Sequence, residues 1–268
     1  MILFIADDFG SSREVNEAII EVHQKGVLHG ASLMMGEDAT VHAVALAKAN
    51  PTLRVGLHLV LTDGKSVLPH YKIPRLVDKN RNFSKSPASR WLSYLFNPLV
   101  GSQLEEEIKN QFKAFQLTGL KLSHVDGHHH MHIHPRVWRL VVEQAQIYGA
   151  QWVRIPWEDS VVWKKASDDP AFWKFAHIKI YHFLCKEKKS LLKKIGFHTF
   201  DSVFGIAETF SMTKSYVLKI LRENPPGLYE FYFHPGKTWN KDLQILLDPE
   251  VVQEAQKFKL EDPWRIVF

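Results

Sequence analysis

Short apolar runs alternate with helix-period segments along almost the whole chain, and this alternation limits the fold more than any other feature. Strands joined by helical crossovers run parallel, because antiparallel neighbours need only a tight turn. The first run, Ile2 to Ala6, reads as a buried strand. Ser11 or Ser12 then caps a helix with Val15, Ala18, Ile19 and Val22 on one face, ending at Gly26. Ala31 to Met35, Arg54 to Leu61, Lys121 to Asp126, Gln151 to Ile155, Ser202 to Ile206 and Leu228 to Phe233 read as further strands. Trp264 to Phe268 reads as a closing one.

Between them the pattern predicts a helix capped by Asp38 that stops before Pro51. It predicts others over Leu104 to Gln116, Pro135 to Tyr148, Thr213 to Arg222 and about 249–258. Pro135 suits a first helical position, and Pro225-Pro226-Gly227 halts the helix before it. Seven or eight such units suit an α/β fold of the (β/α) barrel type, a distorted parallel barrel of seven or eight strands. A doubly wound open sheet is the alternative, but no G-x-G-x-x-G follows the first strand. The expectation is one domain over 1–268 with two insertions. One, at about 62–98, reads as a long loop with aromatics at Trp91, Tyr94 and Phe96; the other, at about 156–200, reads as irregular or loosely helical.

Composition narrows the class. Apolar residues make up 45% and charged residues 24%, as in a soluble globular protein. No apolar run is long enough to span a bilayer, and no basic segment precedes the first strand as in a secretory signal, so a cytoplasmic location is expected. Cys185 is the single cysteine, which excludes an internal disulfide. The net charge is +5, and lysines crowd Trp163 to Lys194 among several aromatics. A solvated helical face is favoured there over a nucleic-acid partner, while a transient membrane-surface contact and a homodimer are kept as partner readings.

The polar residues of interest fall near the C-terminal ends of the strands: Asp7 and Asp8, His58, Asp126 and His128, Arg154, and His234. A parallel barrel gathers those ends on one rim, where active sites form. One carboxylate suffices to cap the following helix, so the Asp7-Asp8 pair suggests divided work. Gly56, two residues before His58, permits close backbone approach. The segment His124 to His134 holds six histidines in eleven residues, between a strand and a helix, and points to metal binding. Imidazole and carboxylate donors suit Zn, Mn, Fe or Ni better than Ca. Three protein ligands with open positions is the usual hydrolytic arrangement, so the other histidines support the ligands or touch substrate.

Asp7-Asp8-Phe9-Gly10, Gly56-Leu57-His58-Leu59, His124-x-Asp126-x-His128-His129-His130-x-His132 and Phe233-His234-Pro235-Gly236 resemble, in combination and in order, the motifs of the YdjC-like carbohydrate deacetylases. That family includes chitooligosaccharide deacetylases and hopanoid-biosynthesis-associated proteins. The resemblance covers residues 1 to about 237. It implies a barrel-like α/β fold and one divalent metal held by Asp8, His58 and His128. Magnesium is the metal it implies, and two imidazoles make zinc chemically plausible. It further implies Asp7 as catalytic base, His234 as candidate acid, and an acetylated amino sugar, free or lipid-linked, as substrate. Arg154, His130, His132 and Asp126 are expected on the substrate side. Ala31 to Met35, Arg54 to Leu61 and Asp201 to Gly205 are similar to the hopanoid-associated branch, whereas His129 in the triple histidine is similar to the chitooligosaccharide branch. The competing readings are another metal-dependent amidase or phosphoesterase, and a non-catalytic carbohydrate- or lipid-binding protein.

Overall fold

A computed structural model of the chain describes residues 1–236 and 240–258. In chain order its elements begin with strand β1 (Ile2–Phe9), helix α1 (Arg13–Lys25), β2 (Gly30–Leu33), α2 (Thr40–Ala49) and β3 (Arg54–Leu59). Next come α3 (Pro87–Phe96), α4 (Gly101–Leu117), β4 (His124–Gly127), a 3-10 segment His128–Ile133, α5 (Pro135–Ile147) and β5 (Trp152–Val153). The remainder is α6 (Ser160–Ala166), α7 (Phe172–Lys194), β6 (Ser202–Phe204), α8 (Lys214–Glu223), β7 (Tyr229–Phe233), α9 (Asn240–Leu247) and α10 (Pro249–Gln256). The expected closing strand at 264–268 lies outside the described residues.

The seven strands hydrogen-bond in the order β5-β4-β3-β2-β1-β7-β6. This is the cyclic order of a barrel, cut between β5 and β6. A doubly wound sheet reverses its strand order at a switch point and does not return its last strands to its first. Here β1 pairs with β7, in parallel, from Ile2↔Tyr229 to Ala6↔Phe233. The seven-stranded parallel α/β expectation holds, and the cut falls at the 156–200 insertion.

By their contacts the residues form two compact units, where the sequence reads as one domain. In the unit built from 1–7, 17–31 and the residues from Arg154 onward, β6, β7 and most of β1 pair in parallel. Phe4, Phe231 and Phe233 are buried there, with the Phe4 and Phe231 rings stacked at 5.4 Å. In the unit built from 8–16 and 32–153, β4 pairs with β3 on one side and β5 on the other. Helix α4 buries Leu104, Ile108, Phe112 and Phe115, as its spacing predicts. The same face buries Gln111, whose side-chain amide accepts from the Val60 N–H at 3.0 Å and donates to its carbonyl at 2.7 Å. That clamp fixes the chain two residues past His58.

Three local expectations are corrected. Asp38 does not cap α2; Ala39 is the cap residue and makes no side-chain bond, while Asp38 pairs with Lys65. The 62–98 segment contains a helix, α3, started by Ser86 and Pro87 and tied down by Tyr94, whose buried hydroxyl donates to the Leu61 carbonyl at 2.7 Å. The 156–200 segment is mostly helix, and α7 alone runs 23 residues. No described helix is long and apolar enough to cross a membrane.

Candidate metal centre

The side chains of β3 and β4 share a register in which His58 stands beside Asp126. Parallel strands lie about 4.8 Å apart, so paired residues of one face meet directly. Asp126 Oδ1 lies 2.7 Å from His58 Nδ1, and its Oδ2 accepts from the Ser32 hydroxyl at 2.7 Å. Ser32 Oγ is in turn 3.0 Å from His124 Nε2, and His124 Nδ1 is 2.8 Å from Ser123 Oγ. All of these groups but Ser123 are buried. A Cβ on Gly56 would stand 2.4 Å from the His124 ring, so the glycine makes room for that ring.

A carboxylate only accepts hydrogen bonds, so Asp126 draws the His58 proton to Nδ1 and leaves the Nε2 lone pair facing outward. Nε2 looks onto Asp8 Oδ1 at 3.3 Å. The same oxygen lies 2.9 Å from His128 Nδ1, and the two imidazoles meet edge-on with centroids 5.5 Å apart. Asp8, His58 and His128 therefore offer three ligand atoms within 4.8 Å of one another. Lone pairs of two rings and a carboxylate converging on one point are stabilised by a cation, and the donor set fits a divalent metal.

Backbone geometry brings Asp8 and His128 there. Asp8 has φ +63°, in the left-handed region, which breaks the two-residue alternation of β1 and turns Asp8 away from the course of Asp7. After His128, both His129 (φ 50°) and His130 (φ 54°) are left-handed, so the chain folds back sharply at the end of β4. Consecutive non-glycine residues in this region carry strain that the surroundings must hold, and such strain clusters at functional sites.

The six histidines divide their tasks. His128 joins the cluster. His124 supports Asp126 through Ser32. His129 lies 3.6 Å from the Asp63 carboxylate, and burial, then the neighbouring His128, holds its pKa below the usual range. His130 and His132 are buried with rings 6.1 Å apart, His132 against Gly127. His134 caps α5, its Nδ1 accepting from the Arg136 N–H at 3.2 Å, and its ring meets Trp91 edge-on at 4.6 Å. Of the residues expected on the substrate side, Asp126 and His132 are fully enclosed, each 0% exposed.

In the other unit, Arg154 grips Asp7 with two parallel bonds, at 2.6 and 2.8 Å. Its Nε donates to Glu230 at 2.6 Å, and its guanidinium lies 5.0 Å above the Tyr232 ring. All three charged groups are buried, so one guanidinium serves two carboxylates. His234 follows β7 as Asp7 follows the last registered residue of its neighbour, Ala6. The His234 N–H donates to Asp242 at 2.8 Å, and its ring packs against Phe210 at 4.9 Å. Burial pushes the Asp242 carboxyl up. The sequence reading missed Ser32 and Glu230; each interrupts an apolar strand with a polar residue, which is the signal that could have found them.

These features define a parallel α/β protein with barrel-type strand order and an Asp-His-His cluster suited to a divalent metal. The YdjC-like protein family model matches residues 1–257, and the chain belongs to that family. A carbohydrate deacetylase of Brevibacillus brevis is 41% identical over 152 residues, 57% of this chain and 58% of that one. A chitooligosaccharide deacetylase of Serratia marcescens is 35% identical over 150 residues, 56% and 57% of the two chains. The chain thus spans a little over half the length of these curated relatives. A solved structure from Enterococcus faecalis V583, described as a candidate cellobiose-phosphate cleavage protein, superposes with a TM-score of 0.71 at 22% identity, over 96% of this chain and 94% of that one. At that identity the likeness concerns the fold.

Proposed function

We propose that the chain hydrolyses the N-acetyl group of an acetylated amino sugar, giving acetate and the free amine. The observation that carries the reading is the convergence of His58 and His128 on one carboxylate oxygen of Asp8, with His58 oriented from behind by Asp126. The deacetylases among the relatives support the substrate class.

Asp8, His58 and His128 would hold a divalent ion, which would supply a Lewis acid for the acyl carbonyl and would acidify water. Two nitrogen donors and one oxygen favour a borderline ion such as zinc, while magnesium, implied by the resemblance, prefers oxygen. Asp7 accepts the proton of the attacking water. Arg154 holds both Asp7 oxygens in one plane, so their remaining lone pairs point in a fixed direction. His234 donates a proton to the departing amine. Asp126 acts through His58, and Arg154 through Asp7; both are positioning residues. His130, buried at 9% exposure, and His132 are the substrate-side histidines of this reading.

The test is acetate release from N-acetylated oligosaccharides, run beside p-nitrophenyl phosphate, with metal analysis of the purified protein. His128→Ala should lose both bound metal and turnover. Full activity in that variant would overturn the assignment, and turnover of the phosphoester alone would overturn the reaction.

A further inference from the structure

Helix α7 is apolar on two faces. One face buries Ile178, Cys185 and Leu192 and is pinned by Lys174, whose ammonium donates to the buried Glu208 at 2.8 Å. The opposite face exposes Trp173 (64%), Ile180 (58%), Phe183 (86%) and Leu191 (43%). At 100° per residue these four lie within about 80° of arc, turned away from the buried side, and the exposed Glu187 and Lys194 fall within the same arc. Lys179, Lys186 and Lys193, spaced by seven residues and all exposed, form a row along one edge of that stripe. Over its whole length α7 carries seven lysines and one glutamate.

We propose that this face of α7 docks in the plane of an anionic lipid bilayer. An exposed aromatic and aliphatic stripe edged by lysines is what an interfacial helix presents: the rings enter the acyl boundary and the ammonium groups meet lipid phosphates. Self-association fits less well, because a second copy would bring two lysine-rich helices together. Nucleic acid would use the lysines and stack on the rings, but Ile180 and Leu191 offer no stacking surface. Binding does not draw on the metal centre, so it stands or falls apart from the deacetylase reading.

The experiment is flotation of the full chain with equimolar phosphatidylglycerol–phosphatidylcholine vesicles and with phosphatidylcholine vesicles. Partitioning into the anionic vesicles should be at least tenfold stronger and should weaken with salt. Lys179→Glu, Lys186→Glu and Lys193→Glu together should lower it by roughly a hundredfold, at about fivefold per lysine. Trp173→Ser with Phe183→Ser, a second variant at exposed positions, should lower it while leaving the circular dichroism spectrum unchanged. Absence of flotation with the anionic vesicles would overturn the proposal. So would flotation that survives both variants, a dimer in sedimentation that Phe183→Glu dissociates, or DNA binding that depends on the same residues in place of vesicle binding.

Discussion

Asp126 grips His58 across the β3–β4 register, with Oδ1 2.7 Å from Nδ1, and so decides which ring nitrogen faces Asp8. An amide at position 126 can turn its NH2 toward Nδ1, which moves the imidazole proton to Nε2 and closes that nitrogen to an ion. Asp126→Asn should therefore weaken metal affinity by about 10- to 100-fold. Titration of the metal-free variant against the wild type measures this, and equal affinities would remove Asp126 from its positioning role.

Gly56→Ala puts a methyl group 2.4 Å from the His124 ring. That ring has little freedom to retreat, because both its nitrogens are engaged, by Ser32 and Ser123. The cost should be about 1–3 kcal/mol in denaturant unfolding. The double variant with His124→Ala should cost less than the sum of the two single variants, since the clash has gone.

Arg154 is shared by two buried carboxylates. Arg154→Ala removes the guanidinium from both and should destabilise the fold by about 3–5 kcal/mol. Arg154→Lys keeps a charge but loses the paired bonds to Asp7, so it should lower kcat more than it lowers stability. Equal losses in both would argue that Arg154 has a purely structural role.

Glu158 is fully buried, and although it accepts from the Ala207 N–H and the Tyr216 hydroxyl, burial raises its pKa to about 7. The unfolded value is near 4.5. Between the two, the folded state binds more protons than the unfolded state, so stability falls as pH rises from about 4.5 to about 7 and then levels. The loss is on the order of 3 kcal/mol. Glu158→Gln does not titrate, so its unfolding free energy should lack this slope.

The parts of the fold that were legible in the sequence are those that follow one period. Strands buried on both faces read as apolar runs, and α4 showed its stripe at Ile108, Phe112 and Phe115. Helix α7 did not, because apolar residues on opposite faces blur the 3.6-residue period. Asp38 looked like a cap, but its partner Lys65 stands 27 residues away, a distance no local pattern encodes. In the site, the histidine density marked the segment, yet it could not distinguish His128 in the cluster from His134 capping a helix. The left-handed turns at Asp8 and His129 make that distinction, and they are settled by tertiary packing.

The turn at Asp8 also separates two neighbouring negative charges by the kind of partner each one meets. Asp7 is neutralised by a guanidinium that belongs to the chain. Asp8 faces two imidazole nitrogens, of His58 and His128. A cation bound there would add a partner drawn from solution. A chain that binds an ion only when folded gains stability with the logarithm of free ion, about 2.7 kcal/mol at a hundred times the dissociation constant. Its melting temperature would then act as a gauge of the surrounding metal, reading the ion supply even where no substrate is present.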